Sequence, residues 1–332
     1  MSARFYHISP KGVITKCPGL NEALTSIKGD GYIWLDYFDP VADELNLLIE
    51  PLGIHTLSIE DCLDESQIPK IEDFQSNTFI LFNSLYYLNQ KLLVDEVDFI
   101  IGKKFLVTVN GHQTENRNSL EKIEEMIRIK TNEVSQGPDH LLHFIMDVII
   151  DRKFLAIETV QEKLHAYEED LLSDPIHFNL AHLIEMRQVF LALRKSLFHE
   201  REILVKICRK DSPYISDKSI YHYRDIYDHL VKYFESVEIY REMINGLMEM
   251  YLSMMNNSIT LMANQTNLVV KRLTLITTIF MPLSFFAGVG GMSEWSMMTG
   301  PEHWKIAYPA FLLGMGIIGY INYLILKRLK WL

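Results

Sequence analysis

The 332-residue sequence holds three cysteines, Cys17, Cys62 and Cys208, and no C-x-x-C pair. That removes a paired-cysteine zinc or redox motif, and the thiols read as small core filler in a reducing compartment. H-E-x-x-H, G-x-x-x-x-G-K-[ST] and G-x-S-x-G are also missing. A zinc peptidase site, a P-loop nucleotide hydrolase and a nucleophile elbow therefore have no support, and no enzyme is expected. The net charge is −11 and the basic residues form no stripe, so nucleic acid is not an expected partner. The opening residues MSARFYHISPKG contain no apolar core of signal-peptide type, which leaves the large leading portion in the cytosol.

Charge itself is missing from two places. Leu273 to Ser293 and Ile306 to Leu326 contain no Asp, Glu, Lys or Arg. At 1.5 Å per residue, runs of this length span about 30 Å of hydrocarbon, so both are expected to cross a bilayer. Lys271 and Arg272 precede the first run, and Lys327, Arg328 and Lys330 follow the second. The positive-inside rule puts both termini in the cytoplasm and the link between the runs outside, with Trp295, Trp304 and Trp331 near the interfaces.

Proline is absent between Pro213 and Pro282, and Gly246 is the single glycine there. Apolar residues recur at Ile220, Tyr223, Tyr227, Leu230, Phe234 and Val237, then at Tyr240, Ile244, Leu247, Tyr251 and Met254. Alternating steps of three and four make a heptad-like seam that requires a partner helix. Without a break signal, one helix of about 70 residues is expected to continue into the first membrane run, and self-association about a common axis would bury its seam. Just before that run the seam turns polar, in MMNNSITLMANQTN.

The remainder reads as an α+β domain, a mixed sheet flanked by helices. GYIWLDYF (31–38), NTFILFNSLYYL (77–88), LLVDEVDFIIG (92–102) and KFLVTVNG (104–111) are strand-like, and the last three are close enough to pair antiparallel. A helical stretch, PVADELNLLIEPLGIHTLSIEDCL, separates the first strand from this meander. From His140 the apolar spacing turns helical, giving an antiparallel pair beside the long helix. The expected organisation is 1–137 α/β domain, 138–212 helical pair, 213–272 stalk helix, 273–293 first span, 294–305 outer loop, 306–326 second span and 327–332 basic tail.

GIHTLSIEDCLDESQIPKIEDF (53–74), HLLHFIMDVIIDRKF (140–154), YRDIYDH (223–229), YLSMMNN (251–257), KRLTLITTIFMPLSFFAG (271–288), PEHWKIAYP (301–309) and KRLKWL (327–332) together make the chain similar to the CorA family of magnesium channels. The resemblance implies a homopentamer in the cell inner membrane, passing Mg2+ and also Co2+ or Ni2+ passively, without an organic cofactor. Its pore line maps onto Asn267, Leu273, Thr277, Met281 and Ser284, with Val270 where the family carries methionine. The outer filter maps onto Gly291, Met292 and Ser293. Serine replaces the family's asparagine there, and a hydroxyl is shorter than an amide and also donates. Glu294 and Glu302 of the outer loop would attract cations. Intracellular Mg2+ as regulator would bind Glu60, Asp61, Asp147 and Asp225 between neighbouring cytosolic domains and hold the pore closed. A zinc-transporting relative, or a membrane-anchored cation sensor that no longer conducts, remain the alternatives.

Overall fold

The computed structural model describes residues 3–64, 67–88, 91–111, 120, 123–129, 131–291, 300 and 303–328. Met292, Ser293, Glu294, Trp295, Glu302 and Trp331 therefore lie outside the described residues. The chain divides into two compact units, Met1–Met250 and Tyr251–Leu332.

In the first unit, seven strands form one sheet: β1 Ala3–Ile8, β2 Ile14–Cys17, β3 Tyr32–Phe38, β4 Lys70–Asp73, β5 Thr78–Leu88, β6 Lys91–Gly102 and β7 Phe105–Asn110. Their order is β2-β1-β3-β7-β6-β5-β4. The β5-β6-β7 meander is antiparallel, as its spacing implies, with Thr78 opposite Ile101 and Ile101 opposite Leu106. Among the described strands, only β3 and β7 pair in parallel. Both are covered on two faces, and a strand covered twice reads as a nearly continuous apolar run, as YIWLDYF does.

One face of the sheet presents Ile33, Leu35, Tyr37, Phe79, Leu81 and Ile100 to short helices. These are α1 Leu20–Ser26, α2 Ala42–Asn46, α3 Ile49–Leu52 and α4 Thr56–Asp61. The single helical stretch expected over this region is thus three short helices. Gly53 stops α3 in the left-handed region at φ 67, which reverses the chain into α4. On the other face Trp34 stacks on Tyr6 and donates Nε1 to Thr108 Oγ1 at 3.0 Å. Short α5 Ile123–Ile129 and α6 Thr131–Val134 lie on this side, through the Tyr6 hydroxyl to Glu124 and the Tyr32 hydroxyl to the Val134 carbonyl.

Three long helices complete the unit: α7 Pro138–Ser173, α8 Ala181–Cys208 and the first part of α9 Ile220–Gly290. On α7, Lys153 lies 4.1 Å from the Phe82 ring centroid and forms a fully buried ion pair with Glu200 of α8. Helices α7 and α9 run the same way, since Ser219 and Tyr223 donate to Asp139 while Tyr233 stacks on Phe154. Helix α8 runs against α9, with Phe198 beside Phe234 and Phe190 beside Tyr240.

This arrangement corrects the expectation for the seam. Ile220, Tyr223, Leu230, Val237, Ile244 and Leu247 are already buried within one chain, so α7 and α8 are the partner helices and this stretch does not wait for another copy. Beyond Met250 the situation reverses: residues 261–273 are exposed throughout.

The second unit holds the rest of α9 and α10, Trp304–Arg328. Both helices are long and apolar enough to cross a membrane.

Candidate ion path and cation-binding site

In the second unit, Gly290 of α9 meets the Phe311 ring of α10, and Leu283 lies over Gly319. Phe286, Val289, Ala307, Ala310, Gly314 and Met315 line the adjoining apolar cleft. At about 100° per residue, Leu283, Phe286 and Gly290 fall on one side of α9, and Val270, Leu273, Thr277, Met281 and Ser284 fall on the opposite side. Asn267 borders the second group. The six candidate pore residues therefore form one face turned away from α10, and all six are exposed, Leu273 at 61% and Met281 at 73%.

Three threonine hydroxyls in this part of α9 are turned inward to the helix backbone. Thr274 donates to the Val270 carbonyl at 2.8 Å, Thr277 to Leu273 at 3.0 Å and Thr278 to Thr274 at 2.7 Å. Such back-bonding satisfies the donor without a side-chain partner. Gly291 closes the helix, its N–H reaching the Ala287 carbonyl at 3.0 Å.

The four candidate regulatory carboxylates are spread over three helices of the first unit. Glu60 is exposed at the end of α4. Its neighbour Asp61 is only 14% exposed and fully engaged: Gln67 Nε2 donates to Oδ1 at 2.7 Å, and Lys70 Nζ lies 2.8 Å from Oδ2. Asp147 is half-buried on α7. Asp225 stands on α9, 72% exposed, with His229 Nε2 at 3.7 Å one turn away. Carboxylates are the hard oxygen donors that Mg2+ takes. Among the described residues, however, no three His, Cys, Asp or Glu side chains gather in a way that would hold a metal ion. The donor chemistry fits the ion, and the count among the described residues of one chain does not.

Two features near these carboxylates have no marker in the sequence. Behind Asp61, Glu96 and Asp98 of β6 are buried on the same sheet face as Ile100. Burial, then the charge of Asp64 and Asp95, pushes Glu96 up to about 8; burial and Glu96 push Asp98 well above the carboxylate range. The second feature is a histidine group where α7 and α9 meet: His143 lies 5.0 Å from the His222 ring, and His140 lies 5.7 Å from it. Burial, with His222 and His140 adding, pushes His143 down to about 4.

The sequence and the fold are similar to those of known proteins over most of the chain. The family described as CorA-like Mg2+ transporter protein matches residues 29–328. The "Cobalt/magnesium transport protein CorA" of Thermotoga maritima is 32% identical over 287 residues, covering 85% of this chain and 78% of that protein. This chain is a member of the CorA-like Mg2+ transporter family. The CorA-type assignment makes it a transporter of divalent cations with two candidate membrane helices, and not an enzyme. The "Putative metal ion transporter YfjQ" of Bacillus subtilis is 31% identical over 301 residues, 90% of this chain and 88% of that one. The complete CorA magnesium transporter structure from Methanocaldococcus jannaschii shares the fold, with a TM-score of 0.70 at 22% identity, covering 100% of this chain and 99% of the other.

Proposed function

We propose that this CorA-type chain forms a homopentameric inner-membrane channel for Mg2+, with Co2+ or Ni2+ as further cargo. The reading is carried by the exposed face Asn267, Val270, Leu273, Thr277, Met281 and Ser284, which the chain's own second span leaves uncovered. Five copies turning that face toward an axis would enclose a path of polar and apolar rings. The rings of Leu273 and Met281 are suited to stop ions by dewetting when narrow. Two positive charges moving inward across 100 mV gain about 4.6 kcal/mol, so no nucleotide is required.

Ions would enter past Glu294 and Glu302 and meet the filter of Gly291, Met292 and Ser293. On the cytosolic side, Glu60 and Asp61 of one copy and Asp147 and Asp225 of the next would share a Mg2+, since the described residues of one chain do not assemble enough donors by themselves. Opposed carboxylates repel until a divalent ion bridges them, so a fall in internal Mg2+ would loosen the ring and open it. Lys271, Arg272, Lys327 and Arg328 support a reading in which both termini are cytoplasmic.

Flux into liposomes loaded with a Mg2+ indicator tests this. Uptake of Mg2+ driven by an inside-negative potential is the expected result. Zinc uptake with none of magnesium would favour the zinc-transporting relative, and no flux of any divalent ion would leave a cation sensor.

A further inference from the structure

Asp61 enters the reading above as a ligand for regulatory Mg2+, yet within the chain both of its oxygens are already taken. Lys70, the first residue of β4, holds Oδ2 at 2.8 Å and also approaches Glu72 Oε1 at 3.4 Å. Its ammonium stands 5.7 Å from the Phe79 ring centroid, so the side chain is held over the sheet and not free in solvent. Gln67, three residues before β4, holds Oδ1. A divalent ion at Asp61 has to displace one of these donors or share the carboxylate with a cation less than 3 Å from it.

We propose that Lys70 is a built-in competitor of the regulatory cation, occupying Asp61 when internal Mg2+ is low and setting the concentration at which Mg2+ takes over. This rests on the reading of Asp61 as a ligand. The geometry supplies the means. Lys70 sits on a strand that is hydrogen-bonded to β5, whereas Asp61 is the last residue of the six-residue α4. Release of the carboxylate therefore needs a side-chain movement and no change in the sheet. An ammonium carries one charge and Mg2+ two, so the exchange favours the metal at sufficient concentration and the lysine below it.

The test follows protection of the full-length protein in detergent from protease as Mg2+ is raised. Removing Lys70 as Lys70→Met, which keeps the apolar stem, is expected to lower the half-maximal Mg2+ about fivefold, equivalent to about 1 kcal/mol. Lys70→Arg retains the charge and keeps the midpoint near that of the parent. Lys206→Met, which unpairs Asp73 on the same strand, controls for loss of any nearby positive charge and leaves the midpoint unmoved. An unchanged or raised midpoint in Lys70→Met, or an equal fall in Lys206→Met, overturns the proposal. Asp61→Asn and Asp225→Asn test the underlying reading separately: if neither weakens protection by Mg2+, the carboxylates are not the regulatory site, whatever Lys70 does.

Discussion

Ser293 is the residue on which transport depends most directly in this reading. The waters of hydrated Mg2+ point their hydrogens outward and need acceptors. Ser293→Ala removes a side-chain acceptor from every copy, and Ser293→Asn supplies the longer amide. A hydrogen bond is worth about 1 kcal/mol net, and several act on one ion. Uptake measurements should show apparent affinity falling about tenfold in Ser293→Ala and holding or rising in Ser293→Asn, with equal protein in the membrane. His143 makes a different prediction. The folded chain holds it neutral down to about 4, while the unfolded chain protonates it near 6.5. Stability is thus complete above pH 6.5 and is lost as pH falls toward 4. Melting curves should show a loss of roughly 1–2 kcal/mol from this group between pH 7 and 5, reduced in His143→Gln. The carboxylates Glu60, Asp61, Asp147 and Asp225 were legible because whole segments around them match a family. Lys70 was not, although it lies in the first of those segments, because an ion pair nine residues away across a turn has no periodic signature.

Among the elements, the strands of the meander could be read from their β-branched and aromatic composition, and the three long helices from their apolar spacing. The small strands β1, β2 and β4 escaped because four to six residues with half-buried patterns resemble loop. The seam of α9 was visible, but its partner was not: a three-and-four repeat states that a helix must be covered and leaves open by what. α7 and α8 cover it up to Leu247. Where α9 meets α10, contact is close enough that a Cβ on Gly290 would lie 2.6 Å from Phe311 Cζ. Gly290→Val should therefore push the two helices apart at a cost of about 1–3 kcal/mol. A lowered melting temperature in detergent, recovered by adding Phe311→Ala, is the expected outcome; no change would mean that the ring turns aside freely.

At the scale of the whole molecule, burial of the seam within one chain means that the proposed assembly would rest on the exposed part of α9 and on the proposed shared cation sites. Mass measurement of the solubilised complex should give five copies, and a stable monomer or dimer would exclude the pore described above. With Asp61→Asn and Asp225→Asn together, the ring is expected to dissociate at lower detergent concentration than the parent. The hydroxyls of α9 have a further consequence once copies surround an axis. Thr274, Thr277 and Thr278 have each committed their only proton to a carbonyl of the helix. What Thr277 offers to the lumen is an oxygen with lone pairs and no hydrogen to give. A water shell around a cation could donate to the Thr277 oxygens, whereas a chloride ion, which must be donated to, would find no proton at that ring to replace its water, so the Thr277 level would discriminate by sign of charge without carrying any charge itself.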